Sequence, residues 1–180
     1  MSRTLWITTT AVFIALLIVA QALGAVFGQL VVGSLVNLIL IITVSTGGLP
    51  SGLVVALMSP VFAKLIGIGP FWTIIPFVMA GNAALVLVWR CAGALRFTHV
   101  FFVRVITLIL AAASKFLVLY LGVVKITVPF LLNLPEQQAA LISGMFSFPQ
   151  LLTASIGGAL AVAILPLMEK VVRNIRRSES

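Results

Sequence analysis

Residues 4–63 contain no Lys, Arg, Asp or Glu, and neither do residues 65–89 or 137–168. Few folds tolerate uncharged stretches of that length. A bilayer-spanning helix needs about 20 predominantly apolar residues, and every stretch holds at least one such run. The chain is 62% hydrophobic and only 8% charged, whereas soluble domains carry about 25% charged residues. The expected class is an all-α membrane protein, with residues 1–180 forming a single integral membrane domain.

Glycine, proline and polar clusters punctuate the apolar runs and divide them into spans. "GAVFGQ" (24–29), "STGGLPSG" (45–52), "GIGPFW" (67–72) and "RCAGALRFTH" (90–99) read as turns. Helices are expected at about 5–24, 30–46, 52–66, 71–90, 100–126 and 149–173, a compact bundle of six transmembrane helices. The segment 127–148 is too polar and too broken by proline to span. Within it, "PEQQAALI" reads as a short helix with Pro135 at its first position.

The net charge of +8 is not a nucleic-acid signal, because the basic residues stand at the ends of apolar runs rather than among aromatics. That is the pattern of topology signals. An even number of spans puts both termini on one side. That side collects Arg3, Arg90, Arg96, Arg104, Lys170, Arg173, Arg176 and Arg177, while Lys64 and Lys125 fall on the other. Both termini are therefore expected to be cytoplasmic. Arg3, the run from Leu5 and Ala20-Gln21-Ala22 imitate a secretory signal peptide. The run is long enough to span, so it is expected to remain as the first helix.

Against this background one residue stands out. Lys115, in "ILAAASKFLVLYLG" (109–122), lies about 11 residues from each end of the fifth apolar run, roughly 16 Å deep at 1.5 Å per residue. A lysine at such depth costs about 2.5–3.5 kcal/mol on insertion scales, so it must face the bundle interior. Leu108, Ala111, Ala112, Val118, Leu119 and Gly122 share its face, and the small ones leave room for a cavity. The three acids are Glu136, Glu169 and Glu179, none of them within a span centre. An anionic group on a guest would supply the missing partner. The plainer alternative is a lysine bonded to backbone carbonyls or reaching into a water-filled crevice.

Other polar residues converge at similar depth: Asn82 beside Gly81, Asn37 on the face of Gly33 and Ser34, and Gln150 with Thr153. Together with Lys115 they outline a pocket for a small polar solute. Taken singly, each is better explained by an interhelical hydrogen bond of about 0.6 kcal/mol. Trp72 and Phe71 fit either an outer interfacial belt or a lid over that pocket. Lys64 could steer an anion or simply snorkel. Thr153, Gly157 and Ala161 form a small-residue seam for helix contact, as do Ala11 and Ala15. The sequence holds no Walker phosphate loop, paired carboxylates, metal-ligand set or nucleophile–base pair, and His99 beside Arg96 reads as interfacial. Catalysis on this chain is not expected, and neither is a bound cofactor.

Three stretches resemble a known family. "TTTAVFIALLIVAQ", with Ala11-xxx-Ala15, is similar to the first helix of the substrate-binding S components of energy-coupling factor (ECF) vitamin transporters. "GSLVNLILIITVSTGGLPSGLVVALMSPVFAKLIGIGPFWTIIPFVMAGN" resembles the middle of those proteins, and "FSFPQLLTASIGGALAVAILPLMEK" their last helix. The resemblance implies a six-helix subunit of a bacterial plasma-membrane importer that binds a vitamin or precursor from outside. It implies docking through Ala11 and Ala15 onto a transmembrane T component, with ATP hydrolysed by two cytoplasmic ATPase partners. The pocket would draw on Asn82, Lys115 and Gln150, with Asn37, Thr153 and Trp72 nearby, and the outer turns would gate it. Two rivals remain from the residues alone: a stand-alone small-solute transporter or channel, and a non-transporting membrane assembly factor.

Overall fold

The computed structural model describes residues 3–69, 71–93 and 100–178. Pro70, Arg96, His99 and Glu179 lie outside the described residues. Everything described is helix or short connection. Helix α1 spans Arg3–Gly24 and α2 Gln29–Leu65, joined by a 3₁₀ turn at Ala25–Phe27. A second 3₁₀ turn, Trp72–Ile74, leads into α3, Ile75–Ala92. Helix α4 spans Val100–Leu119 and continues as a π-helix over Tyr120–Leu131. Helices α5, Glu136–Met145, and α6, Phe148–Ser178, complete the chain. Five helices are long and apolar enough to cross a membrane. The protein thus has the architecture of an all-helical, multi-pass membrane protein.

Six spans are expected from the sequence and five such helices are found, because the expected spans 30–46 and 52–66 both lie within α2. That element is not one rod. Gly48 has φ 82° and ψ 176°, a backbone conformation essentially confined to glycine. The two legs on either side, 29–47 and 49–65, pack along α1 in opposite senses. Gly24 at the end of α1 faces Val32 and Leu35 of the first leg. Thr10 Oγ1 donates to Ser51 Oγ (2.9 Å), and Gln21 Nε2 donates to Ser59 Oγ (3.1 Å), so the second leg runs parallel to α1. Gly52 sits against Val44 and Val86, locking the reversal from both sides.

The later boundaries also differ from expectation. The segment 127–148 is not irregular: the fifth run stays helical to Leu131 by widening to the π form. Thr127 accommodates the wider turn by donating its hydroxyl to the Gly122 carbonyl five residues back (2.7 Å). Helix α5 then follows, with Pro135 just before its first residue rather than within it. Helix α6 runs from Phe148 to Ser178, longer than the expected 149–173.

Helices pack here through small residues, as expected where lipid tails remove the hydrophobic drive between helices. Gly157 of α6 lies against the Ser34 carbonyl and Asn37 of α2, with no room for a Cβ. Gly33 of α2 faces Thr153 in return: a Cβ there would stand 2.8 Å from its methyl group. Gly158 does the same against Leu108 of α4, and Gly81 of α3 against Leu119. Thr153, Gly157 and Ala161 are all buried in this seam, whereas Ala11 and Ala15 are exposed on the outer face of α1. Two ends of the bundle emerge. The start of α1, Gly48 and the end of α3 share one end, where Trp89 Nε1 donates to Ser45 Oγ (3.0 Å). The connections at 25–28 and 66–69, with Phe71 and the segment 132–147 that carries α5, gather at the other.

Candidate functional site

Proline sets the geometry of the site before any charged residue enters. Pro60 has no N–H, so the carbonyl four residues back in α2 loses its helical donor. That carbonyl belongs to Ala56, and Asn82 Nδ2 of α3 donates to it (3.3 Å). Only the amide NH₂ can fill that role, so Asn82 Oδ1 is turned the other way, toward α4. There it accepts from Lys115 Nζ (2.7 Å). On the opposite side Lys115 Nζ donates to Asn37 Oδ1 of α2 (2.6 Å). The same logic fixes Asn37, whose Nδ2 faces Thr153 Oγ1 of α6 at 3.4 Å. Met145 ends α5, so its carbonyl has no helical donor and accepts from Gln150 Nε2 instead (3.1 Å). Thr153 Oγ1 in turn donates to the Gln150 carbonyl (3.1 Å).

Lys115 is 4% exposed and stands near the middle of the apolar stretch 100–131. It is held by side-chain amide oxygens, not by the backbone carbonyls that offered the plainer explanation. An ammonium carries three N–H donors. Among the described residues its partners are the Asn37 and Asn82 oxygens, and none is a carboxylate. Its nitrogen is therefore held by two dipoles and by no opposite charge, and the protonated form has one N–H left for another acceptor.

Lys115 borders a cavity of about 130 Å³. Lys115, Asn82 and Gln150 line it, as do Gln21 and Ser59 from α1 and the second leg of α2. Its apolar wall includes Val36, Pro60, Ile74 and Val78, and Ile68, Gly69, Phe71, Met145 and Phe146 stand on the side of the gathered turns. Asn37 and Thr153 stand one layer back and reach the cavity through Lys115 and Gln150. Trp72 is 56% exposed and is not part of the lining, where its neighbour Phe71 takes a place instead. Lys64 lies at the same end of the bundle and donates to the Gly69 carbonyl (3.2 Å).

Gln21 is the residue that sequence reasoning did not assign to the site. It is 3% exposed, and its Nε2 donates to the Ser59 carbonyl (3.2 Å) as well as to Ser59 Oγ. The signal was weaker: Gln21 stands three residues from the end of α1, where an amide costs less than at the mid-helix positions of Asn37 and Asn82.

No family model matches the chain, and no characterised protein or solved structure is significantly similar to it. The chemistry of the site has to be read from its own residues. A buried lysine, several amides and an apolar wall that includes Phe71 and Phe146 can bind and orient a small solute with an acceptor or anionic group.

Proposed function

We propose that the chain is the membrane-embedded solute-binding subunit of an ECF-type importer, and that its cargo is a vitamin or vitamin precursor bearing an anionic group. One observation carries this reading: Lys115, buried near the middle of its helix without a carboxylate partner among the described residues, lines a cavity. A fixed cation of this kind gains most from a guest that brings the opposite charge into a low-dielectric site.

In this reading the chain crosses the bilayer six times, with the two legs of α2 as separate crossings. A continuous helix of 37 residues would be about 55 Å long, far beyond a hydrocarbon core of about 30 Å. The end that carries Arg3 and Arg90 is cytoplasmic, as are both termini, and the cavity end with Lys64 and Lys125 faces outward. The connections at 25–28 and 66–69 and the segment 132–147 that carries α5 form the gate over the cavity. Ala11 and Ala15, exposed on α1, form a flat surface on which the T component docks, with two cytoplasmic ATPases supplying the energy. The membrane is the bacterial plasma membrane.

The test is isolation of the affinity-tagged chain from bacterial membranes in mild detergent, followed by mass spectrometry of what denaturation releases. The expected result is a stoichiometric small anion, with a multi-span protein and two ATPases in the undenatured preparation. Absence of both solute and ATPases would remove the reading.

A further inference from the structure

Gln150 brings an acceptor to the cavity that no described residue fills. It stands in the first turn of α6, is 6% exposed and lines the cavity together with Lys115. Its Nε2 donates to the carbonyl of Met145, the last residue of α5 (3.1 Å). Only the NH₂ of an amide can make that bond, which leaves Oε1 as the free end. Among the described residues no donor reaches this oxygen. Three buried side-chain atoms there have neither a partner nor surface of their own: Trp6 Nε1, Gln21 Oε1 and Thr107 Oγ1. Gln150 Oε1 is not one of them, so it keeps accessible surface, and the space that Gln150 borders is the cavity.

The lysine and this amide are joined behind the cavity wall. Lys115 Nζ donates to Asn37 Oδ1 (2.6 Å), Asn37 Nδ2 faces Thr153 Oγ1 (3.4 Å), and Thr153 Oγ1 donates to the Gln150 carbonyl (3.1 Å). The two ends of that chain, Lys115 and Gln150, are the members that line the cavity. The amide is also held against reversal. Turning it to offer an N–H to a guest would set Oε1 against the Met145 carbonyl, acceptor against acceptor. At this point the wall therefore favours a donor on the guest over an ether or ester oxygen.

We infer that Gln150 is a specificity-determining residue, whose Oε1 accepts a hydrogen bond from an O–H or N–H of the bound solute while the anionic group of that solute lies on Lys115. This rests on the anion-binding role proposed for Lys115 and adds a separate requirement at Gln150. A site that hydrogen-bonds a solute O–H or N–H rejects the analogue without it, because its own polar group is then left unpaired.

The experiment is calorimetric titration of the purified full chain in detergent. The probes are β-hydroxybutyrate, the isomeric hydroxybenzoates and the hydroxynaphthoates, each beside its methyl ether, and the aminobenzoates beside their dimethylamino analogues. The matching neutral amides serve as uncharged references. At least one donor-bearing acid is expected to bind tenfold or more tightly than its methylated partner. In Gln150→Met that ratio is expected to fall to twofold or less, while the methylated acid binds as before and so reports an intact fold. Gln150→Glu keeps an acceptor oxygen at the same place and is expected to retain the ratio. A ratio that survives Gln150→Met overturns the inference, because the preference is then steric, and so does a ratio lost equally in Gln150→Glu. Absence of binding by every probe at millimolar concentration overturns it too. The anion reading fails separately, if Lys115→Met leaves acid and amide affinities alike unchanged.

Discussion

Lys115 of α4 and Asn37 of α2, 78 residues apart in the chain, meet at 2.6 Å in the middle of the bundle. The contact joins two helices through a buried lysine near the middle of the apolar stretch 100–131. It also exposes a choice built into the site. An amide oxygen solvates the ammonium but leaves its charge available, whereas a carboxylate in the same place would neutralise it.

Asn37→Asp makes that choice the other way. The new carboxylate pairs with Lys115 at the cost of only the long contact to Thr153 Oγ1 (3.4 Å). The account predicts that affinity for an anionic solute falls at least about 30-fold, the scale of a hydrogen bond to a charged group at ~2 kcal/mol. The unfolding temperature in detergent is predicted not to fall. Titration and thermal unfolding of the same preparation check both.

Gly157→Leu probes the seam that holds Asn37 in position. A Cβ at Gly157 collides with the Ser34 carbonyl and stands 2.8 Å from Asn37 Cβ. Overpacking of that kind costs about 1–3 kcal/mol, and here it also displaces an oxygen from Lys115. The expected outcome is a lower unfolding temperature together with weaker solute binding. Gly144→Leu, where nothing lies within 4 Å of a Cβ, is the matched control and is expected to change neither.

Much of this site was legible in the sequence, for a physical reason. Polar residues in apolar spans are expensive, so Lys115, Asn37 and Asn82 each had to find a partner, and at similar depth they could find one another. The seam at Thr153, Gly157 and Ala161 was legible because small residues four apart share a helix face. What was hidden depends on contacts distant in sequence or on backbone detail. Nothing local says that Pro60 frees the Ala56 carbonyl for Asn82, or that Gln21 lies beside Ser59. The π-helix at 120–131 keeps an apolar, helix-like pattern, so its end was placed several residues early. The reversal at Gly48 was visible as a turn, but its compression to a single residue between two helical legs was not.

The reversal itself is open to test by cross-linking. Thr10 and Ser51 hydroxyls lie 2.9 Å apart only because the second leg of α2 returns along α1. In a Cys91→Ser background, the pair Thr10→Cys and Ser51→Cys is predicted to form a disulfide on mild oxidation. Gly48→Val is predicted to lower the unfolding temperature, since a β-branched residue in that conformation costs roughly 1–3 kcal/mol. Failure of the pair to cross-link in membranes would refute the reversal.

Docking and binding should separate on α1. Ala11 and Ala15 are exposed and far from the cavity lining. Ala11→Trp combined with Ala15→Trp is therefore predicted to leave solute affinity within twofold of the original while abolishing uptake in cells. Uptake that persists would move the partner surface elsewhere.

The most direct measurement is the affinity of the chain for the solute that it releases on denaturation, compared between the natural protein and Lys115→Met. Methionine keeps much of the length of the lysine stem and removes the charge, so the packing of α4 is disturbed little. The account predicts at least a 30-fold loss of affinity, again the scale of one charged hydrogen bond at ~2 kcal/mol. Equal affinity in the two proteins would contradict it, because the buried cation would then have no part in holding the guest.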